Sequence, residues 1–266
     1  MPVPLRGIDR LTYLTFGNEA HLDMLAESLY SMARVWRRLP HLVIAWDGDR
    51  VPARLAKTLA FWPREWEMRT RSQVRALLDP RADRDLIAFG EREAMARKMA
   101  AVLSAARIGP TLYSDVDLLW FREPESLARW RALPTPALVM SPDFQASYDS
   151  SLISAQKLGI REGPCLCAGL MFASGDVLTA AAAEDMLAFA ATHGCGVTEQ
   201  TIFAESCRRL GGWTWPAEEI ALEEADRFAL APTYRGMPWA ARHYVGQIRH
   251  HFWRDALALR VSCSRG

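Results

Sequence analysis

Short β-rich runs alternate with helical stretches along this chain, and the alternation limits the possible folds more than any other feature. The run Leu11 to Phe16 precedes a helical spacing of apolar residues over His21 to Val35, and a second β-rich run follows at His41 to Asp47. Strand, helix and strand in this order form the unit from which parallel sheets are built. The sequence therefore predicts an α/β fold in which helices flank a central, mostly parallel sheet.

The remaining chain continues this alternation without an internal repeat, a heptad pattern or a long linker, so we expect one domain. Asp176 and Thr198 are each predicted to cap a helix. Short irregular helices and loops are predicted for the arginine-rich stretch from Phe61 to Arg92, which is broken by Pro63 and Pro80. Further strands are predicted at Thr111 to Ser114, Ala137 to Met140, Cys167 to Ala173 and Arg242 to Val245, and further helices at Glu91 to Ile108, Asp176 to His193 and Thr198 to Leu210.

Composition narrows the choice of partners and compartment. Lys and Arg number 32 against 31 Asp and Glu, so the net charge of +1 provides no global field for nucleic acid or an anionic membrane. No run approaches the roughly 20 apolar residues of a membrane helix, and the opening MPVPLRGIDR lacks a signal peptide's apolar core. Five cysteines, an odd number, indicate reduced thiols. We expect a soluble cytoplasmic protein, and the bias toward arginine and alanine suggests a bacterial source.

The segment TLYSDVDLLWF carries the most chemical information. Asp115 and Asp117 lie two apart at the end of an apolar run, where the period of a strand can aim both side chains the same way. Two such carboxylates repel unless a cation joins them, and hard divalent ions prefer oxygen ligands and phosphate-bearing substrates. A metal-diphosphate site is one interpretation, and a pair of turn-forming aspartates at a strand exit is the other.

Two other positions add basic and imidazole groups. Lys98 lies on the inner stripe of the helix that precedes this strand, where its ammonium group must find an anion or extend to water. Near the C-terminus, His243, Gly246 and Arg249 stand at a spacing of three. An imidazole can complete a metal shell, a glycine permits close approach of backbone, and an arginine can bind phosphate oxygens in pairs. Each also has an ordinary structural explanation.

In this order and spacing, together with Cys-Ala-Gly at 167–169 and the pair Glu199-Gln200, these motifs resemble nucleotide-sugar glycosyltransferases of the GT-A fold. The order is similar to the glycogenin-like retaining group and covers nearly the whole chain, from the first strand to Trp253. The resemblance implies one Rossmann-like domain over residues 1–266, with a nucleotide-sugar half at about 1–121 and an acceptor and metal-completing half at about 122–266. It also implies transfer of a hexose, with retention, from a nucleotide-diphosphate sugar, UDP above all, to a carbohydrate or glycan acceptor.

The resemblance assigns ligands to a metal and to the donor. Asp115 and Asp117 would be the paired acidic ligands and His243 the third protein ligand to Mn²⁺ or Mg²⁺. Asp115, Gly246 and Arg249 would lie against the donor diphosphate.

The same resemblance places the remaining site residues around the sugar and the nucleoside. Lys98 would lie beside the donor sugar or its phosphate, and Thr15 and Asn18 would border the nucleoside. Gln200 would lie near the anomeric carbon and Glu199 near the sugar hydroxyls, so that Gln200, Glu199 and Lys98 form the catalytic set.

The chain also departs from this group, and two other functions remain open. Cys167 stands where an asparagine frequently precedes Ala-Gly, which removes a donor that would reach the sugar and allows a nucleotide-sugar-binding protein without transfer. A metal-dependent phosphatase with an aspartate nucleophile also places Asp-x-Asp after a strand, although that strand usually opens its domain. Retention needs no dedicated base, whereas inversion would need a carboxylate such as Glu199 or Asp143.

Overall fold

The structure is a computed structural model that describes residues 11–222, 227–232, 234 and 236–263. The strands in this part of the chain are β1 (Thr12–Gly17), β2 (His41–Trp46), β3 (Trp66–Arg69), β4 (Thr111–Ser114), β5 (Leu118–Trp120), β6 (Ala137–Pro142), β7 (Leu166–Ser174), β8 (Trp213–Thr214), β9 (Ile220–Ala221) and β10 (Ala241–His243). The α-helices are α1 (Leu22–Val35), α2 (Leu55–Thr58), α3 (Arg71–Ala76), α4 (Arg84–Arg92), α5 (Ala94–Ile108), α6 (Leu127–Arg131), α7 (Ser150–Gln156), α8 (Val177–Ala180), α9 (Glu184–His193), α10 (Thr198–Arg209) and α11 (Arg249–Cys263).

Within the described residues the central sheet has seven strands in the order β3-β2-β1-β4-β7-β6-β8. The pairs β2–β3, β1–β2, β1–β4 and β6–β8 are parallel, whereas β7 runs antiparallel to both β4 and β6. This mixed α/β architecture with a mostly parallel sheet confirms the predicted fold class. The carboxyl ends of β1 and β4 meet at one edge of the sheet, where open α/β folds bind ligands.

The sheet is buried on both faces. Along β1, Leu14 faces a core that includes Met99 of α5 and Phe203 of α10, whereas Tyr13 faces a second core with Leu29 of α1. Alternate residues of a strand point to opposite faces, so one apolar run can serve two cores. The same arrangement explains the unbroken apolar run 42–46 of β2, whose residues alternate between the two cores.

A small second sheet in the described part, ordered β5-β10-β9, carries one predicted site residue to the edge of the large sheet. β10 is antiparallel to β5 and pairs His243 with Leu118. The pairing brings His243 next to Asp117 although 126 positions separate the two residues. The C-terminal strand therefore completes a site that β4 begins.

Several local predictions need correction. The predicted helix over Glu91 to Ile108 is two helices, because the backbone at Glu93 is extended between α4 and α5. The predicted helix after Asp176 is also two, and Ala182, between α8 and α9, takes a left-handed φ of 50°. Asp176 does cap α8 by accepting the Thr179 N–H. β3 lies in the stretch from Phe61 to Arg92, where only short helices and loops were expected. α11 and several short elements, among them β5, β8, β9, α6 and α7, were not predicted.

Thr198 does not cap α10. It is the first residue of that helix, and its hydroxyl donates to Asp149 Oδ2 at 2.5 Å and accepts the Cys195 N–H at 2.8 Å. The hydroxyl therefore joins α10 to the start of α7 rather than satisfying the N–H groups of its own helix.

Two further observations concern the cysteines and the helices. Cys165, Cys167, Cys195 and Cys207, the four cysteines whose side chains are described, form no disulfide. In the same part of the chain, no helix has the combination of length and apolar character that crossing a membrane would require.

Candidate active site

Asp115 and Asp117 lie just beyond the carboxyl end of β4. The Asp115 N–H donates to Gly169 O on β7 at 2.8 Å, and the Asp117 carbonyl accepts the Tyr244 N–H at 2.8 Å. The Tyr113 hydroxyl donates to the Asp115 carboxylate. The predicted strand period is not what aligns the two side chains, because β4 ends before Asp115 and Asp117 lies in a turn. The turn and its hydrogen bonds bring both carboxylates to one side.

His243 joins this acidic pair from β10. Its Nε2 lies 3.0 Å from Asp117 Oδ1 and 3.6 Å from Asp115 Oδ2, and one possible ligand atom from each of the three residues falls within 4.8 Å of the others. A Cβ atom at position 169 would lie 1.9 Å from His243 Cε1, so only glycine leaves room for the ring. On the other side of the ring, His243 Nδ1 lies 3.6 Å from Cys167 Sγ.

The chemistry of this donor set suits a divalent cation. Two carboxylates and one imidazole offer the oxygen and nitrogen ligands that Mn²⁺ and Mg²⁺ sites use, with positions left for substrate phosphate and water.

The protonation of these groups bears on how a cation would enter. Burial raises the pKa of Asp117, but His243 and Arg249 outweigh it and lower the pKa below its usual value. Burial lowers the pKa of His243, and Asp117 outweighs it, so that the pKa is well above 6.5. Without a cation the two residues therefore form an ion pair, and a metal ion would displace the proton on Nε2.

Lys98 of α5 is buried beneath the acidic pair. Its Nζ lies 3.6 Å from Asp115 Oδ1 and 3.2 Å from Glu199 Oε1, and it donates to Ala168 O at 3.4 Å. Burial lowers the pKa of Lys98, but Asp115 and Glu199 together raise it above its usual value. Burial raises the pKa of Glu199 to about 7 against the opposing effect of Lys98. The ammonium group has thus found its anions inside the protein rather than in water.

Arg249, at the start of α11, completes the charged cluster. Its Nη2 lies 2.7 Å from Asp117 Oδ2, while its side chain remains 54% exposed. The guanidinium group is therefore positioned at the opening of the site, where it can exchange a carboxylate for a phosphate.

Two neighbouring clefts contain most of the predicted site residues. The first cleft, with about 690 Å³ of open space, is lined by Asn18, Lys98, Asp115, Asp117 and Arg249 among others. This size is typical of sites for small ligands. The second cleft, with about 740 Å³, is lined by a different group that includes Asp143, Cys167, Gln200 and Gly246.

His243 connects the two clefts, because it contacts Asp117 of the first and Cys167 of the second.

Gln200 is held firmly at the wall of the second cleft. Its Oε1 accepts the Ala168 N–H at 3.3 Å, and its Nε2 donates to Ser147 O at 3.1 Å and to Asp143 Oδ2 at 3.4 Å. Burial raises the pKa of Asp143. Gly246 has a φ of 54°, in the left-handed region that favours glycine, so the sequence motif reflects a backbone requirement.

The structure does not bring every predicted residue to a cleft surface. Thr15 is 1% exposed within β1, and Glu199 is 2% exposed behind Lys98. In the described part of the chain, neither lines the first or second cleft. Asn18 does line the first cleft, and there its buried Oδ1 has no hydrogen-bond partner among the described atoms.

Three contacts in the site were not predicted from the sequence. Tyr113 holds Asp115, Asp143 holds Gln200, and Cys167 contacts His243. Only the first had a sequence signal, since Tyr113 precedes Asp115 by two positions at the end of a strand.

The site gathers an acidic pair, a histidine, a lysine and an arginine at the carboxyl edge of an α/β sheet. A site of this kind can bind a diphosphate together with a metal ion. The site therefore defines a class of enzymes that act on substrates bearing a diphosphate. Residues 90–252 match the family model described as nucleotide-diphospho-sugar transferase, and the chain belongs to this family. A comparison with curated protein sequences finds no match.

The solved structures that this chain resembles in fold include three glycosyltransferases. The galactosyltransferase LgtC, in complex with donor and acceptor sugar analogues, is 14% identical with a TM-score of 0.59 over 93% of this chain and 95% of its own. Mouse xyloside xylosyltransferase 1 is 12% identical with a TM-score of 0.58 over 88% and 97%. The glycosyltransferase GlyE of Streptococcus pneumoniae is 12% identical with a TM-score of 0.52 over 96% and 64%.

These comparisons confirm the GT-A fold and the glycosyltransferase class expected from the sequence motifs. Family membership places the chain among transferases of nucleotide-linked sugars rather than among the phosphatases that the Asp-x-Asp pattern had left open.

Proposed function

We propose that this chain is a metal-dependent hexosyltransferase that moves a hexose from a UDP-sugar to a carbohydrate or glycan acceptor, with retention. The observation that supports this function is the convergence of Asp115, Asp117 and His243, with Arg249 and Lys98 beside them. These residues come from both of the proposed halves, 1–121 and 122–266, of one domain.

The first cleft would bind the donor diphosphate. Asp115, Asp117 and His243 would hold Mn²⁺ or Mg²⁺, which supplies Lewis acidity toward the phosphate oxygens. Arg249 would leave Asp117 and pair with phosphate oxygens, because its guanidinium group is exposed to the cleft. Gly246 lets the backbone approach the same group. The positive charges of the metal ion and of Arg249 would stabilise the leaving diphosphate more than the intact donor.

The donor sugar would lie where the two clefts meet, near Gln200. Lys98, buried beneath the acidic pair, would contribute its positive charge beside the donor sugar. Glu199 contacts Lys98 rather than lining a cleft, and it would hold the ammonium group in place. Asn18 has an unpartnered acceptor that suits an N–H group of a nucleobase. Thr15, which is buried within β1, would support the same region from behind the cleft surface.

Retention would let the departing diphosphate accept the proton of the acceptor hydroxyl, so no separate base is needed. Inversion would instead need a carboxylate on the opposite face, and Asp143 in the second cleft would be that group.

Calorimetric titration of UDP, GDP and their sugars, with and without Mn²⁺, tests the proposal. We expect Mn²⁺-dependent binding of UDP and UDP-sugars that Asp117→Ala abolishes. His243→Ala should weaken Mn²⁺ binding. Asp23→Ala, an exposed aspartate paired with Arg54, is the matched control and should bind as the wild type does.

Binding that persists unchanged in Asp117→Ala would overturn the site. Tight donor binding without transfer to any acceptor would favour a nucleotide-sugar-binding protein. The anomeric configuration of the product, read by NMR, decides between retention and inversion.

A further inference from the structure

We propose that Cys167 is a positioning residue that holds the His243 imidazole with Nε2 toward the acidic pair. The inference rests on the proposed metal site. It assigns a role to the cysteine that stands where the glycogenin-like group frequently has an asparagine.

Three contacts fix the His243 ring. Nε2 faces Asp117 Oδ1 at 3.0 Å, and Nδ1 faces Cys167 Sγ at 3.6 Å. The ring also lies against Gly169, where a Cβ atom would come within 2.5 Å of Nδ1 and 2.7 Å of Nε2. His243 is 1% exposed and Cys167 is 5% exposed, so water has little access to either. The ring can neither rotate freely nor exchange its sulfur partner for solvent.

This arrangement selects one tautomer for metal binding. A cation needs the lone pair of Nε2, because that nitrogen faces the two carboxylates, and the ring proton must then be on Nδ1. Nδ1–H points at the sulfur, which is a weak hydrogen-bond acceptor. Metal-binding histidines usually donate their second ring N–H to a carboxylate, a carbonyl or water. Here a cysteine occupies that position.

The sulfur is itself held in place. Cys167 Sγ also accepts the Gly169 N–H at 3.3 Å, so the same short segment supplies the ring's partner and the space for the ring. The segment Cys-Ala-Gly therefore positions the third metal ligand. Residue 167 contacts one nitrogen of the His243 ring, and residue 169 leaves room for the face of the ring.

The test compares Mn²⁺ affinity, by calorimetry, in the wild type and in Cys167→Ala, Cys167→Ser and Cys165→Ala. Loss of a second partner of a metal-binding histidine typically weakens metal affinity by 10–100-fold, and a weak sulfur acceptor places the expected loss in Cys167→Ala at about 10-fold. Cys167→Ser keeps an acceptor and should recover most of this loss. Cys165→Ala, two positions earlier in a half-exposed site, is the matched control and should bind as the wild type does.

A second readout separates positioning from a general loss of structure. In the Mg²⁺-loaded wild type, ¹H–¹⁵N NMR of His243 should show a proton on Nδ1 that exchanges slowly with water. Cys167→Ala should exchange it faster, while its thermal stability without metal stays near that of the wild type.

The outcomes distinguish the inference from the proposed function. If the wild type binds no divalent cation, both fail. If the wild type binds Mn²⁺ and Cys167→Ala matches it in affinity and proton exchange, only the positioning role is wrong. A thiolate-to-cobalt absorption band in the Co²⁺-loaded wild type that Cys167→Ala removes would make Cys167 a direct ligand and overturn the role stated here.

Discussion

Gly169→Ala should disable the proposed metal site without touching any ligand. The added methyl group would lie 1.9 Å from His243 Cε1, whereas ordinary van der Waals contact begins at about 3.4 Å. The ring or the strand must therefore shift by about 1.5 Å, the difference between these distances. Because Asp117 and Cys167 hold the two ring nitrogens, such a shift must break at least one of these contacts.

The clash should lower both the stability of the protein and its transfer activity. Forcing a methyl group into a packed interior costs about 1–3 kcal/mol of the free energy of unfolding. A displacement of about 1 Å in a catalytic group can cost roughly 100-fold in rate. We therefore expect Gly169→Ala to lose about 2 kcal/mol of stability and at least about 100-fold in transfer activity.

Urea denaturation and Mn²⁺ titration measure these effects. Gly109→Ala is the matched control, since a Cβ there meets no atom within 4 Å and its φ of 177° is extended backbone. Gly169→Ala combined with His243→Ala removes the clash, so the stability losses of the single changes should not add. The reasoning is refuted if Gly169→Ala binds Mn²⁺ and unfolds as the wild type does.

Two further predictions concern buried charges. Glu199 has a pKa of about 7 in the folded protein, above the ordinary 4.5 of the unfolded chain. Between these pH values the folded protein binds a proton that the unfolded chain has lost, so its stability falls as pH rises from about 4.5 to 7. Glu199→Gln should remove roughly 2 kcal/mol of the difference in stability between pH 5 and pH 7, measured by urea denaturation; an equal difference in the wild type and the variant would contradict it. Arg107 donates two hydrogen bonds of 2.8 Å to buried Asp83, and Arg107→Ala should cost about 2–4 kcal/mol of stability while Mn²⁺ affinity stays unchanged. Reduced Mn²⁺ affinity in that variant would show that the far end of α5 is coupled to the site.

The local pattern was sufficient where one element decided the outcome. The spacing of apolar residues located α1, β2 and β4 closely, and it put Lys98 on the inward-facing stripe of α5, although it left open whether the ammonium group binds an anion or extends to water. Hydrophobic periodicity reports which face of a helix or strand is buried, and this depends little on the partner that covers it.

The same pattern failed where the backbone had to break inside an apolar run. Glu93 and Ala182 interrupt segments that read as continuous helices, and neither is a glycine or a proline that would announce a break. Tertiary packing overrides helix propensity at such positions, because the interruption costs less than leaving an apolar face unburied.

The sequence by itself determined the α/β class, the acidic pair after β4 and the order of the motifs along the chain, because each depends on residues close to one another. Only the tertiary structure decided that β10 pairs with β5 to bring His243 to Asp117. It also decided that Glu199 lies behind Lys98 and that Cys167 holds His243. Those contacts join residues 76 to 126 positions apart. Their geometry depends on strand order and on the packing of the two sheets, which no local spacing records.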